Sequence, residues 1–142
     1  MLSIIIPSYK DSFLQKTINS LLENAEEEIE IIAVLDGYWP NPQIEDHPKL
    51  RILHLGKNRG MRGAINAGVA ISRGGHIMKC DAHCMFGKGF DRLLLERFKD
   101  NWVVTPRLYR LDTEKWELMP GRANDYNKII FSEKYNKLTG LD

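Results

Sequence analysis

An α/β fold, a mostly parallel sheet flanked by helices, is what the order of segments in this sequence predicts, and three observations carry that expectation. Four short apolar runs, Leu2 to Ile6, Ile29 to Leu35, Leu50 to Leu55 and Ile77 to Cys80, have the length and β-branched content of strands covered on both faces. Segments of helical period alternate with them through the first hundred or so residues. Three of the runs end directly on polar clusters, Pro7-Ser8-Tyr9, Asp36-Gly37 and Asp81-Ala82-His83. In parallel open sheets, the carboxyl ends of strands are where ligands bind.

The elements follow in order. Pro7 stops the first run, and Ser12 stands three residues before Gln15, which suggests a capping box. Leu14, Ile18, Leu21 and Leu22 then recur at helical spacing, predicting a helix over about 12 to 24. Pro40, Pro42 and Pro48, with Asn41 and Asp46, mark 38 to 49 as a loop. Gly56 to Gly60 is a polar turn, and Ala64 to Ile71 is predicted to be a small-residue helix. Gly87 to Gly89 precedes an amphipathic helix over about 90 to 98, with Leu93, Leu94 and Phe98 expected inward. Beyond Asn101 the pattern changes: Trp102 to Thr105, Arg107 to Leu111, Trp116 to Met119 and Lys128 to Ser132 read as short strands.

A length of 142 residues suits one domain, and 43% hydrophobic with 27% charged residues is the composition of a globular chain with a core rather than a disordered one. The net charge of +1 gives no reason to expect nucleic acid as a partner. No apolar run approaches the roughly 18 residues of a membrane span, and the N-terminus has no signal-peptide pattern. Cys80 and Cys84 make no disulfide framework, so free thiols and a cytoplasmic location are expected.

Asp81 and His83 stand at i, i+2. In an extended segment both side chains share one face and can meet one cation. An Asp oxygen with an imidazole nitrogen suits a borderline divalent ion such as Mn²⁺, with Mg²⁺ the harder alternative. An isolated Asp-x-His reads more simply as an aspartate capping a turn beside a surface histidine. Cys80 and Cys84 flank it, but a closed zinc site normally takes four Cys or His ligands, and Cys80 reads as a core thiol. Asn58-Arg59-Gly60-Met61-Arg62-Gly63 is a glycine-punctuated helix entry that suits a phosphate or is a plain cap; it is neither a Walker loop nor a dinucleotide fingerprint. Tyr9, Tyr38 and Trp39 near strand ends either stack on a base or pack over the sheet edge, and packing is the reading favoured for Trp39. Lys10 and Lys57 read as solvated.

Taken together these residues resemble the GT-A glycosyltransferases, family 2-like enzymes in particular. Ser3 to Asp11 is similar to that family's first strand and nucleotide-binding turn, and Ile31 to Asp36 to its second strand, whose terminal Asp reads uracil in many members. Asn58-Arg59-Gly60, Asn66-Ala67-Gly68 and Ser72 to Gly75 follow its middle helix in order and spacing. Family 2 enzymes usually carry Asp-x-Asp. Asp81-Ala82-His83-Cys84 instead resembles the polypeptide N-acetylgalactosaminyltransferases, as do Gly89-Phe90, Leu93-Leu94 and Val103 to Pro106. The resemblance covers roughly residues 2 to 120.

It implies a nucleotide-diphospho-sugar transferase fold, GT-A and Rossmann-like, with about 1–100 as the nucleotide-sugar half and about 101–142 as a short, partial acceptor section. It also implies a UDP-sugar donor, a metal at Asp81 and His83, and transfer of a hexosyl or N-acetylhexosaminyl group to an acceptor. The nucleotide site it implies comprises Pro7, Ser8, Tyr9, Asp11, Asp36, Gly60, Arg62, Asn66, Asp81 and Ala82. Two departures stand out. Ile65 replaces the Arg that family 2 members often place before the position of Asn66, with Arg62 one turn earlier as its substitute. The acceptor half is also reduced: no histidine follows His83, and Asp125, Glu133 and Asp142 are the late carboxylates left to serve as a base. The second reading is therefore a nucleotide-sugar-binding module, or half of a split enzyme, completed by a partner subunit or by oligomerisation over an exposed apolar face.

Overall fold

In the computed structural model, residues 1–96 and 98–123 are described throughout, and 128–132 and 137–141 are described as strands. The chain divides into two compact units, Met1–Arg97 and Phe98–Asp142.

In the first unit, β1 (Leu2–Ser8), β2 (Ile29–Asp36), β3 (Leu50–Leu55) and β4 (His76–Lys79) form one sheet in the order β3-β2-β1-β4. All three pairings are parallel, with Ile5 opposite both Ile32 and Lys79, and Ala33 opposite Ile52. Every loop that follows a strand therefore leaves from the same edge. Helix α1 (Leu14–Asn24) joins β1 to β2, α2 (Gly60–Ala70) joins β3 to β4, and α3 (Phe90–Leu95) follows β4.

Alternation along β1 and β2 sorts the core onto two faces. Leu2, Ile4, Ile6, Ile29, Ile31, Ala33 and Leu35 pack with Leu14, Ile18 and Leu21 of α1 and Phe90 of α3. Ile5, Ile32 and Val34 pack with Ala64 of α2 and Leu55. Each fully buried isoleucine contributes about 1.5–3 kcal/mol relative to exposure, so β1 and β2 are the stable centre of the unit. Helix α2 sits close on its face because residue 68 is glycine: a Cβ there would lie 2.6 Å from Ile5 Cγ2 and 3.1 Å from Val34 Cγ2.

Two buried carboxylates replace backbone partners that the sheet does not supply. Glu30 accepts from Ser3 Oγ at 2.6 Å and from the Arg73 and Gly74 N–H groups, pinning the turn after α2. Asp91 accepts from the Glu26 N–H at 3.1 Å and the Glu27 N–H at 2.8 Å, tying α3 to the segment before β2. Burial pulls both carboxyls upward, but these hydrogen bonds outweigh it and hold each below the ordinary carboxylate range.

The strand expectations for the first unit hold to within a residue or two, and the differences have local causes. No capping box forms. The Phe13 N–H donates to Asp11 Oδ1 at 2.8 Å instead, while Gln15 is drawn away to Asn19 and to the Glu45 N–H. Helix α2 starts a turn earlier than expected, because a strand-end side chain meets its entrance. Helix α3 is shorter than expected, and Leu93 is exposed rather than inward, with Phe90 and Leu94 taking the buried side.

In the second unit, Trp102 to Thr105 forms no strand, and the next two runs reduce to β5 (Leu111–Asp112) and β6 (Glu117–Leu118), an antiparallel pair. Its turn is closed by Asp112 Oδ1, which accepts from the Glu114 and Lys115 N–H groups. The expected strand at Lys128–Ser132 is present as β7, paired antiparallel with β8 (Lys137–Leu141), which periodicity did not reveal. Asp125, Glu133 and Asp142 lie outside the described residues.

Candidate donor site at the carboxyl edge of the sheet

The loops leaving β1, β2 and β4 meet through side-chain hydrogen bonds. Ser8 Oγ and Tyr38 Oη are 2.5 Å apart, joining the end of β1 to the loop after β2. Tyr9 stands edge-on to Tyr38 with ring centroids 6.2 Å apart, and the ammonium of Lys10, exposed as expected, lies 5.3 Å from the Tyr9 ring. Asp11 Oδ2 and His83 Nδ1 are 2.8 Å apart, joining the loop after β1 to the loop after β4. The expected residues Ser8, Tyr9, Asp11 and His83 are thus gathered at one edge, with Pro7 at the end of β1.

Asp36, to which the resemblance gave a base-reading role, is buried at the end of β2. It is 2% exposed, and its Oδ1 accepts the Arg59 N–H at 2.7 Å. The carboxylate thereby caps the entry to α2 from a neighbouring strand. Gly37 follows with φ +78°, and a Cβ there would meet Asn58 N at 2.3 Å, so only glycine lets β2 pass this turn. Gly60 opens α2, and Arg62 and Asn66 lie one turn apart along it, both exposed.

The Asp81–His83 segment is not extended as the i, i+2 argument assumed. Strand β4 ends at Lys79, and residues 82 and 83 form a turn. The cause is Thr17, fully buried on α1: its hydroxyl donates to Ala82 O at 2.8 Å and accepts the Cys84 N–H at 2.9 Å. One helical turn on, Ser20 Oγ accepts the Phe86 N–H at 2.9 Å. Thr17 and Ser20 were missed by sequence reasoning. The signal that could have found them is a pair of hydroxyls on the apolar face of an otherwise regular amphipathic helix.

Asp81 pairs with the Lys79 ammonium, and the side chains of Asp81 and His83 are 49% and 54% exposed. Among the described residues no group of three or more His, Cys, Asp or Glu is assembled to hold a metal ion. The chain offers two exposed donors of mixed type. That set fits a divalent cation whose other ligands arrive with a diphosphate and water, and fits a permanently resident ion poorly. Exposed ion pairs contribute only about 0–1 kcal/mol, so a cation would displace Lys79 from Asp81 at small cost. Cys80 is a buried core thiol, as expected; burial pushes it well up from the ordinary thiol value and raises Cys84 as well.

Trp39 does pack over the sheet edge, its ring stacked on His54 of β3 at 3.8 Å and 9°, yet it remains 70% exposed. Beneath it, His54 Nε2 is buried without a hydrogen-bond partner among the described residues.

A parallel four-stranded sheet flanked by helices, with a polar cluster at its carboxyl edge, defines the class as an α/β fold of the GT-A type. Residues 3–141 match the family model described as glycosyl transferase family 2, and the chain belongs to that family. It is 32% identical over 140 residues to the uncharacterized glycosyltransferase EpsJ of Bacillus subtilis (strain 168), covering 92% of this chain and 40% of that protein. The chain thus spans about two fifths of the length of that relative. Two crystal structures of S. aureus TarS share the fold at 17% identity. The 1-349 form has a TM-score of 0.56 and covers 74% of this chain and 38% of that one. The other has a TM-score of 0.54 and covers 74% and 23%. No helix among the described residues is long and apolar enough to cross a membrane.

Proposed function

We propose that this chain is the donor-binding part of a metal-dependent glycosyltransferase that takes a UDP-sugar and transfers a hexosyl or N-acetylhexosaminyl group to an acceptor. The observation that carries the reading is the linkage of three strand-end loops through Ser8–Tyr38 and Asp11–His83, in a chain of family 2. These bonds draw together, from loops distant in sequence, the residues that the family resemblance implicates in donor binding.

Asp81 and His83 would hold Mn²⁺, or Mg²⁺ in its place, as the likeness of Asp81-Ala82-His83-Cys84 to the polypeptide N-acetylgalactosaminyltransferases suggests. When bound, the cation supplies charge neutralisation on the diphosphate that leaves. The chain's own residues do the rest. Arg62 and Asn66, exposed one turn apart on α2, would contact the phosphates. Asp36 keeps the Asn58–Arg59–Gly60 turn in register with that helix and, as the family resemblance suggests, would read the base. Tyr9 and Tyr38, edge-on to one another, would offer ring surface to the base. His83 ligates only in its neutral form, so metal affinity should fall at acidic pH.

Calorimetric titration of the chain with UDP, first with Mn²⁺ and then with EDTA, tests the reading. Metal-dependent binding is expected. Binding that ignores EDTA would remove the metal from the proposal, and no binding in either condition would remove the donor site. Turnover of UDP-sugar by the isolated chain separates a complete enzyme from a module that needs a partner.

A further inference from the structure

We propose that Asp11 is a positioning residue for His83: its carboxylate accepts the Nδ1 proton of the imidazole, so that Nε2 is the nitrogen presented to a divalent cation. The cation is taken from the function proposed above; the arrangement of the pair stands on the geometry alone. Both oxygens of Asp11, which the resemblance puts in the nucleotide site, are engaged within the chain. Oδ1 accepts the Phe13 N–H at 2.8 Å, and Oδ2 lies 2.8 Å from His83 Nδ1.

The chemistry follows from donor and acceptor roles. A neutral imidazole has one N–H and one lone pair, and an ionised carboxylate can only accept. A bond from Nδ1 to Asp11 therefore requires the proton on Nδ1 and leaves the lone pair on Nε2. This is the relation by which a carboxylate behind a ligating histidine fixes its tautomer and orientation. Asp11 is the shielded partner, 18% exposed at the side chain against 54% for His83, so the carboxylate is the anchor and the imidazole the presented group.

The backbone on either side of His83 is held as well. Thr17 binds Ala82 O and the Cys84 N–H, so α1 and its entry grip this residue at three points: before it, after it and at its ring. A histidine on a free surface turn would lose side-chain and backbone entropy on ligating a metal. Here that ordering is already done, which is the usual source of affinity in a preorganised site.

The test uses the intact chain labelled with ¹⁵N at histidine and long-range ¹H–¹⁵N correlation, about two pH units above the ordinary histidine pKa of roughly 6.5. His83 is expected in the Nδ1–H form, with an acceptor-type Nε2, and Asp11→Ala should return it to the Nε2–H form that free histidine favours. A wild-type His83 already in the Nε2–H form overturns the proposal. Manganese affinity in the presence of UDP, read by paramagnetic resonance of free Mn²⁺, should fall about 10- to 100-fold in Asp11→Ala. An unchanged affinity despite the changed tautomer would also overturn the positioning role. The wild-type tautomer needs no variant, so it decides the question even if Asp11→Ala does not fold. A wild-type chain that binds no Mn²⁺ with UDP refutes the proposed function instead, and the tautomer still decides the Asp11–His83 pair.

Discussion

Thr17→Val removes one oxygen and keeps the shape of a fully buried side chain, which makes it the sharpest probe of how the Asp81–His83 loop is held. Two hydrogen bonds are lost, to Ala82 O and from the Cys84 N–H. Each contributes about 0.5–1.5 kcal/mol net, and a backbone group left buried without a partner costs about 1–3 kcal/mol. Ala82 is 3% exposed, so its carbonyl carries the full penalty, while Cys84 is only partly buried and can find water. The sum is a loss of about 2–4 kcal/mol. Thr17→Ser keeps the hydroxyl and loses one methyl, about 1 kcal/mol. Stability should therefore fall in the order threonine, serine, valine, against the ranking that hydrophobicity alone would give. Urea unfolding followed by helical circular dichroism reads this, because α1, α2 and α3 all lie in the first unit. Amide exchange at Cys84 should accelerate in the valine variant. A Thr17→Val chain as stable as Thr17→Ser would refute the account of the clamp.

Four other outcomes are expected. Gly68→Ala, normally worth about 1 kcal/mol of helix propensity, should destabilise instead, since its Cβ would press on Ile5 at 2.6 Å and overpacking costs about 1–3 kcal/mol; a higher urea midpoint would show that α2 can move away. Asp91 has its pKa depressed in the folded chain, so its contribution is complete above the unfolded value of about 3.9 and is lost as pH falls through the lower folded value. Asp91→Asn should accordingly be less stable at neutral pH, with the gap to wild type closing on acidification; a gap independent of pH would contradict this. His83→Ala should abolish the metal dependence of UDP binding, and an unchanged Mn²⁺ requirement in calorimetry would exclude the ligand role. Asp36→Ala should lose about 0.5–2 kcal/mol of stability from its cap and weaken UDP more than inorganic diphosphate; equal losses for the two ligands would leave Asp36 as a cap alone.

The four parallel strands were legible because a strand buried on both faces must be a short, continuous apolar run, and such runs between helical segments have few other readings. The strand-end clusters were legible for the same reason: topology puts the carboxyl ends at one edge whatever the details of packing. The short second-unit strands were less so, since pairs of two residues such as Leu111–Asp112 with Glu117–Leu118 are decided by the partner and not by periodicity.

Within the site, the order of apolar runs and polar clusters is enough to say which residues arrive at the edge: Ser8 to Asp11, Asp36 to Trp39 and Asp81 to His83. What each of them faces depends on the packed fold. Asp36 turned inward to Arg59, Asp11 met His83 across 72 positions, and Thr17 bent the Asp81–His83 segment from 65 and 67 positions away. Hydrogen bonds of that kind leave no periodic trace. A polar side chain finds its partner by where the sheet and helices have carried it, and that position is set by the burial of other residues, Ile4, Ile6, Leu14 and Ile18 among them.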